Sequence, residues 1–162
     1  MYALFKKQRL LQILLFFILT AASVVARAET IEQVLAMKKA PLGIVFEIVS
    51  NNPDELAKVL PTVKEDIRRL RAQFPGLDIA VVSHGKEEFA LTNNNKAKYA
   101  KTNQEVQSLA SDPNTTFHVC GAFAEMNNVS PEDFPDYVDV APHGPQQIRT
   151  YMDFGYLRIK ID

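Results

Sequence analysis

In Thr116-Phe117-His118-Val119-Cys120-Gly121, the single cysteine of the chain follows a run of β-branched and aromatic residues. Such a short run, preceded by the turn-forming segment Ser111-Asp112-Pro113-Asn114, has the composition of a β-strand. Gly121 permits a sharp turn, and the residues over 122–126 favour a helix. We therefore predict a strand that ends at Cys120 and a helix that begins directly after it.

This junction creates two opposite expectations for the thiol. The N-terminus of a helix presents unpaired backbone N–H groups, which favour thiolate over thiol at Cys120. Burial among apolar residues has the opposite effect, and a lone cysteine is often an inert core residue. Cys120 is therefore a candidate nucleophile, and a structural thiol is the alternative.

The first 28 residues have the order of a secretory signal peptide. Basic residues at Lys6, Lys7 and Arg9 precede an apolar run over 10–25, which ends in Ala26-Arg27-Ala28. Because that run is short for a membrane span, we expect cleavage after Ala28, a periplasmic or otherwise exported protein, and no stable insertion of the mature chain in the membrane. An uncleaved N-terminal anchor is the alternative.

The length of 162 residues is sufficient for one domain with a proper core. We divide the chain into a signal peptide over 1–28, an N-terminal extension over 29–40 and one domain over 41–162. Without 1–28 the chain keeps fourteen basic and nineteen acidic residues, a net charge of −5. No basic cluster follows one face, so we expect no nucleic-acid partner.

Strand-like and helix-like segments alternate along the domain. Further strands are predicted over 42–49, 77–82, 137–140 and 156–161, and helices begin at Asn52-Pro53, at a capping box of Thr102 with Glu105, and at Pro145. The polar, Asn-rich segment over 86–101 is predicted as a surface loop. This alternation predicts an α/β fold, a three-layer α/β/α sandwich with a mainly parallel sheet.

Three short segments follow predicted strands: His84-Gly85, Cys120-Gly121 and His143-Gly144. In parallel sheets the binding crevice lies beyond the carboxyl ends of the strands, so we expect all three segments at that edge. The histidines are candidates to supply a base or to orient the reacting groups, and Gly85, Gly121 and Gly144 are expected to shape the site.

The histidines have two interpretations each. His84 or His143 could help to ionise Cys120, as a base does for a catalytic cysteine, or could simply bond the backbone of its loop. His118 lies inside the predicted strand, two residues before Cys120 and on the same face of the sheet, where we expect a structural role.

Sequence motifs give no support to a nucleotide or metal site. The chain has no G-x-G-x-x-G motif and no P-loop, and we expect no cofactor. Thiolate and imidazole are good ligands for soft metals, so a Cys and His metal site is a third functional alternative. No close-set ligand spacing such as C-x-x-C or H-x-x-x-H supports it.

Four segments together resemble the DsrE/DsrF-like family: Val82-Ser83-His84-Gly85, Phe117-His118-Val119-Cys120-Gly121, Phe134-Pro135-Asp136-Tyr137-Val138-Asp139-Val140-Ala141-Pro142 and Gly155-Tyr156. The resemblance covers about residues 40 to 162. It implies a five-stranded parallel sheet between helices and frequent trimeric or hexameric assembly. In the sulfur-trafficking members, a cysteine at the position of Cys120 accepts sulfur as a persulfide and passes it to a partner.

On this resemblance we expect a carrier of sulfur, or a sulfurtransferase-like protein, in which Cys120 is the acceptor. The sulfur carriers of the family are cytosolic, whereas this chain has an export signal, so their relay partners do not carry over and the donor and acceptor are unknown. A homo-oligomer is expected, also because the C-terminal half is rich in aromatic residues. The alternative from a different class is a non-catalytic binding or assembly protein in which Cys120 only packs.

We predict that the mature protein begins at Glu29, because the A-x-A site follows an apolar run too short to favour a stable span. N-terminal sequencing of the protein from its native compartment measures this. An intact N-terminus recovered in the membrane fraction would show that the segment is an anchor.

Overall fold

The computed structural model describes residues 28–161, and the signal-peptide prediction falls outside them except at Ala28. The helices are α1 (Ile31–Leu35), α2 (Glu55–Gln73), α3 (Ala100–Ala110), α4 (Gly121–Met126) and α5 (Gly144–Asp153). The strands are β1 (Ile44–Ile48), β2 (Ile79–Ser83), β3 (Thr115–Cys120), β4 (Asp139–Ala141) and β5 (Leu157–Ile161). Short 3-10 helices span Lys86–Leu91, Asn93–Asn95 and Pro131–Asp133.

The five strands form one wholly parallel sheet in the order β4-β3-β2-β1-β5. The predicted three-layer sandwich with a five-stranded, mainly parallel sheet is confirmed. The register brings the carboxyl ends of the strands level, because Ser83 lies opposite both Ile48 and Val119, and Cys120 lies opposite Ala141. The last predicted strand, 156–161, lies at an edge of the sheet as β5 beside β1.

The two faces of the sheet are covered unequally. The larger core joins α1, α2, α3 and α4 to one face through residues such as Phe46, Val81 and Phe117. On the other face a smaller cluster packs under α5, where Ile148 contacts Val45, Ala80 and Val82. The side chain of Cys120 lies on the α5 face, since side chains alternate along β3 and Phe117 and Val119 belong to the larger core.

The surface-loop prediction for 86–101 is wrong over 87–92, whereas most residues over 93–98 are exposed as predicted. Segment Lys86–Leu91 is a 3-10 helix, and the side chains of Glu87, Glu88, Ala90 and Leu91 have no solvent exposure. The polar residues suggested exposure, but backbone N–H groups of neighbouring strand ends are hydrogen-bonded to both glutamate side chains, which makes their burial possible.

Two helix starts differ from the prediction. Helix α3 begins at Ala100, so Thr102 is a buried residue of its first turn and not the cap of a box with Glu105. Helix α2 begins at Glu55, later than Asn52-Pro53 suggested, because the Asn52 side chain accepts the N–H of Asp54 at 3.0 Å and forms a turn before the helix.

The segment predicted as an extension, 29–40, packs against the domain. Val34 of α1 is fully buried in the larger core, and the Glu29 N–H donates to the Arg158 carbonyl at 2.7 Å. Helix α1 is also joined to α2 by the ion pair of Glu32 with Arg69 at 2.8 Å. Between residues 28 and 161, no helix is long and apolar enough to cross a membrane.

We predict that Gly43→Ala destabilises the fold by about 1–3 kcal/mol, the usual cost of overpacking. A β-carbon at Gly43 would lie 2.3 Å from the Tyr156 ring, so the ring would have to move. Urea unfolding measures the loss, and the loss should shrink when Gly43→Ala is made in a Tyr156→Ala background. Equal losses in both backgrounds would show that the ring is not the cause.

Candidate functional site

The three predicted segments meet beyond the carboxyl ends of β2, β3 and β4, as expected. His84-Gly85 follows β2, Cys120 is the last residue of β3, and His143-Gly144 leads from β4 into α5. A β-carbon at Gly144 would lie 2.6 Å from Cβ of His84 and 3.2 Å from Cβ of Cys120. The absence of a side chain at Gly144 therefore lets His84 and Cys120 approach the first turn of α5.

The Cys120 thiol is held by α5 and not by α4. Its Sγ accepts the backbone N–H of Gly144, the first residue of the ten-residue α5, at 3.2 Å. The prediction that the helix after Cys120 supplies this N–H is thus corrected: α4 has six residues, and its Ala122 N–H donates to the Pro142 carbonyl at 3.0 Å. The thiol lies at the positive end of α5 and is 4 % exposed.

His84 is joined to a charged pair inside the α5 face of the sheet. Its Nε2 lies 2.9 Å from Oε1 of Glu47, whose other oxygen accepts hydrogen bonds from Arg158. Burial raises the pKa of Glu47, but the hydrogen bonds and charges of His84 and Arg158 outweigh it and hold that pKa below its usual value. Because the Glu47 carboxylate can only accept a hydrogen bond, Nε2 of His84 carries the hydrogen. This bond holds the imidazole in one orientation.

Glu87 connects the ends of β1 and β2. Its two carboxylate oxygens accept the N–H of Ser50 at 2.7 Å, the hydroxyl of Ser83 at 2.8 Å, and the N–H groups of His84 and Gly85 at 3.1 Å and 3.0 Å. Gly85 fits here because a β-carbon would lie 2.4 Å from the Ser50 carbonyl oxygen. These four hydrogen bonds satisfy a fully buried side chain and fix the chain on both sides of His84.

Glu88 reaches the end of β3. Its Oε2 accepts the N–H of Cys120 at 2.8 Å, the side chain is fully buried, and its Oε1 has no hydrogen-bond partner within residues 28–161. Burial raises the pKa of Glu88 to about 8, the Cys120 N–H opposes that rise, and the charge of Glu87 adds to it. Glu88 is therefore a neutral acid at pH 7.

His118 faces α5 beside this site. Its Nε2 lies 2.8 Å from the Tyr151 hydroxyl, and its Nδ1 lies 4.0 Å from Asp139. Burial lowers the pKa of His118, although Asp139 acts in the opposite direction. This neutral imidazole packs between β3 and α5, and no contact joins it to the Cys120 thiol in the described part of the chain.

His143 lies away from the thiol, on an open groove. It is the exposed N-cap residue of α5 and lines a cavity of about 810 Å³ with Gly121, Ala122, Glu125 and Pro142. Gly121 borders the same groove, and a β-carbon there would lie 3.2 Å from the Ala141 carbonyl oxygen. The structure thus brings together His84, Cys120 and Gly144, while His143 marks the groove beside them.

Four site residues were missed by the sequence analysis: Glu47, Glu87, Glu88 and Arg158. Three of them carried a usable signal. Glu47 is an acid inside the most continuous apolar run, where a charge needs a partner, and Glu87-Glu88 follows a strand that ends at the carboxyl edge. Arg158 carried none, because a charged residue that alternates with apolar ones in a strand is usually exposed.

For a metal site the arrangement is not suitable. Over residues 28–161, no group of three or more His, Cys, Asp or Glu side chains is placed to hold a metal ion. Cys120 and His84 lie near each other, but the imidazole Nε2 of His84 is already bonded to Glu47.

No protein-family model and no curated protein matches the chain. A solved structure with a similar fold is that of MTH1491 from Methanobacterium thermoautotrophicum, a protein of unknown function. The TM-score is 0.57 at 19 % sequence identity, and the match covers 73 % of this chain and 97 % of that one. At this identity the likeness shows the fold alone.

We predict that Glu88 makes the protein less stable as pH rises. The folded protein keeps the Glu88 proton up to about pH 8, whereas the unfolded chain loses it near the ordinary value of 4.5. The proton on Glu88 contributes its full stabilisation below the ordinary value of 4.5. As pH rises from there to about 8, the free energy of unfolding falls by up to about 1.4 kcal/mol per pH unit.

Urea unfolding of wild type and Glu88→Gln across this pH range measures the effect. Glutamine can still accept the Cys120 N–H but has no proton to release, so the stability of the variant should fall less with pH. Contributions from groups other than Glu88 are common to both proteins and cancel in the comparison. Parallel pH profiles would show that Glu88 is ionised in the folded protein.

Proposed function

We propose that the protein is an exported, DsrE-like carrier of sulfane sulfur, or a sulfurtransferase-like protein, in which Cys120 accepts sulfur as a persulfide. The observation that carries the proposal is the hydrogen bond from the Gly144 N–H to Cys120 Sγ at the N-terminus of α5. A backbone N–H and the positive end of a helix stabilise a thiolate, and the thiolate is the nucleophile in sulfur exchange.

The sequence resemblance and the fold support the same proposal. The motifs around His84, around Cys120, over 134–142 and at Gly155-Tyr156 resemble the DsrE/DsrF-like family. That resemblance implies a five-stranded parallel sheet, and the sheet of this chain has five parallel strands. The position that matches the sulfur-accepting cysteine is Cys120. It stands at the carboxyl edge of the sheet, where ligands of α/β proteins bind.

The proposed step transfers one sulfur atom without net oxidation. The Cys120 thiolate attacks the outer sulfur of a donor persulfide, R–S–SH. A sulfur–sulfur bond forms at Cys120, and the sulfur–sulfur bond of the donor breaks. The donor leaves as R–S⁻ and takes up the proton that the Cys120 thiol released. Reversing the step on an acceptor thiol returns Cys120 to its starting state.

Two groups have roles in this step. The Gly144 N–H stabilises the negative charge on sulfur before attack. His84 donates Nε2–H to the Glu47 carboxylate, so Nδ1, on the side of the ring opposite Glu47, is the nitrogen that can take up a proton. We assign to His84 the transient binding of the thiol proton, and to Glu47 and Arg158 its orientation.

A donor must reach Cys120 through a path in the protein surface, because the residue is only 4 % exposed. The groove of about 810 Å³ begins at Gly121 and His143, the chain neighbours of Cys120 and Gly144. We propose that donor and acceptor approach through this groove, and that His143 contacts them there.

The burial of Cys120 favours a second candidate function, a binding or assembly protein in which the thiol is structural.

Assembly into a homo-oligomer is proposed under both candidate functions. Leu42 and Phe154 are 70 % and 68 % exposed, and both lie beside Gly155, where a β-carbon would lie 2.8 Å from the Leu42 side chain. Large apolar side chains of this kind are typical of an interface, here one between copies of this chain.

We predict that Cys120→Ser abolishes sulfur loading and leaves the fold intact. Serine is close to cysteine in size and can accept the Gly144 N–H, but it cannot carry sulfane sulfur. Wild type and variant are incubated with a sulfane-sulfur donor, and their intact masses are read without reductant. Wild type should gain the mass of sulfur and the variant should not, at equal stability to urea.

A His143→Ala variant serves as the matched test of the groove. It should take up as much sulfur as wild type but more slowly, because the substitution changes the groove through which the donor approaches and leaves the Cys120 thiol unchanged. If wild type gains no sulfur, and its thiol resists alkylation until the protein is denatured, Cys120 is a core residue and the second candidate function holds.

A further inference from the structure

Cys120 is held at two points by groups from opposite sides. Its Sγ accepts the Gly144 N–H from α5, and its own N–H donates to Oε2 of Glu88 at 2.8 Å. Glu88 belongs to the 3-10 helix Lys86–Leu91, which follows β2. The amide of Cys120, the last residue of β3, is thus hydrogen-bonded to a side chain from the segment that follows the neighbouring strand β2.

The segment that carries Glu88 is itself fixed. Glu87, one residue earlier, accepts hydrogen bonds from the ends of β1 and β2, and the Lys86 N–H donates to the Ser50 carbonyl at 2.8 Å. These bonds therefore hold the backbone of the segment in place on the N-terminal side of Glu88. A side chain on a fixed segment can hold the Cys120 backbone in one place.

Burying an acid at position 88 costs free energy. It is fully buried, its Oε1 has no hydrogen-bond partner among residues 28–161, and its neighbour Glu87 is also an acid. The polar contact that offsets this burial is the hydrogen bond from the Cys120 N–H, which would be left without an acceptor if the carboxyl were removed. The bond to the candidate nucleophile is therefore what this side chain contributes to the site.

We propose that Glu88 is a positioning residue for Cys120, which accepts the Cys120 amide hydrogen and thereby holds the thiol at the Gly144 N–H. The consequence for sulfur loading rests on the proposed function; the positioning of the thiol does not. Without the acceptor, the end of β3 loses its tether on the β2 side, and Sγ leaves the α5 terminus for part of the time.

The test compares Glu88→Gln with Glu88→Met. Glutamine keeps an oxygen acceptor for the Cys120 N–H, while methionine has similar size and no such acceptor. We expect Glu88→Gln to load sulfur, and to react with an alkylating reagent, at close to the wild-type rate. Glu88→Met should do both about ten- to a hundredfold more slowly, since small displacements of a reacting group have effects of this size.

Urea unfolding of the same proteins separates positioning from stability. Glu88→Met should be less stable than wild type, because the Cys120 N–H loses its acceptor. Reactivity is therefore compared where urea unfolding shows both proteins to be fully folded, so that a slower reaction of Glu88→Met reports the position of the thiol. Glu65→Gln, an exposed acid on α2 far from the site, is the matched control and should change neither. A folded Glu88→Met that reacts at the wild-type rate, or a Glu88→Gln that loses as much as Glu88→Met, would overturn the proposal.

A measurement on wild type keeps the proposal testable if Glu88→Met does not fold. NMR coupling across the hydrogen bond, from the Cys120 amide nitrogen to the Glu88 carboxyl carbon, should be detectable in wild type, and its absence would overturn the proposal. If wild type reacts with the alkylating reagent but takes up no sulfur, the proposed function fails, while the alkylation rates and the coupling still decide the role of Glu88.

Discussion

Two adjacent buried acids hold together the edge of the sheet on which the candidate site is built. Glu87 accepts hydrogen bonds from the ends of β1 and β2, and Glu88 accepts the amide of Cys120 at the end of β3. Parallel strands end without hairpins, so their last N–H groups need partners from elsewhere. Here the partners are carboxyl oxygens, and they fix His84 and Cys120 relative to each other before any ligand binds.

The fold and the position of the site were predictable because both follow from local pattern. Short β-branched runs alternate with amphipathic segments, which requires a mainly parallel sheet, and polar residue–glycine pairs after three strands must then share one edge. The resemblance of the motifs around His84 and Cys120 pointed to the same five-stranded sheet. The structure bears this out with strand ends that lie level across the sheet.

The partners of the site residues were not predictable, because they are distant in sequence. The N–H that meets Cys120 Sγ comes from Gly144, and the carboxylate that orients His84 comes from Glu47, 37 residues away. Glu88 was misjudged for a different reason: its polarity suggested solvent, and only the tertiary structure shows that a backbone amide compensates its burial. Local pattern thus located the thiol without showing what holds it.

The most direct test of sulfur transfer at Cys120 is the covalent state of that residue in the protein as it exists in its native compartment. The protein is trapped with an alkylating reagent during lysis, digested without reductant, and analysed by mass spectrometry. The account predicts a population of the Cys120 peptide that carries one additional sulfur atom beneath the alkyl group. A Cys120 peptide found only as the unmodified thiol, in folded protein that has been exposed to sulfane-sulfur donors, would contradict it.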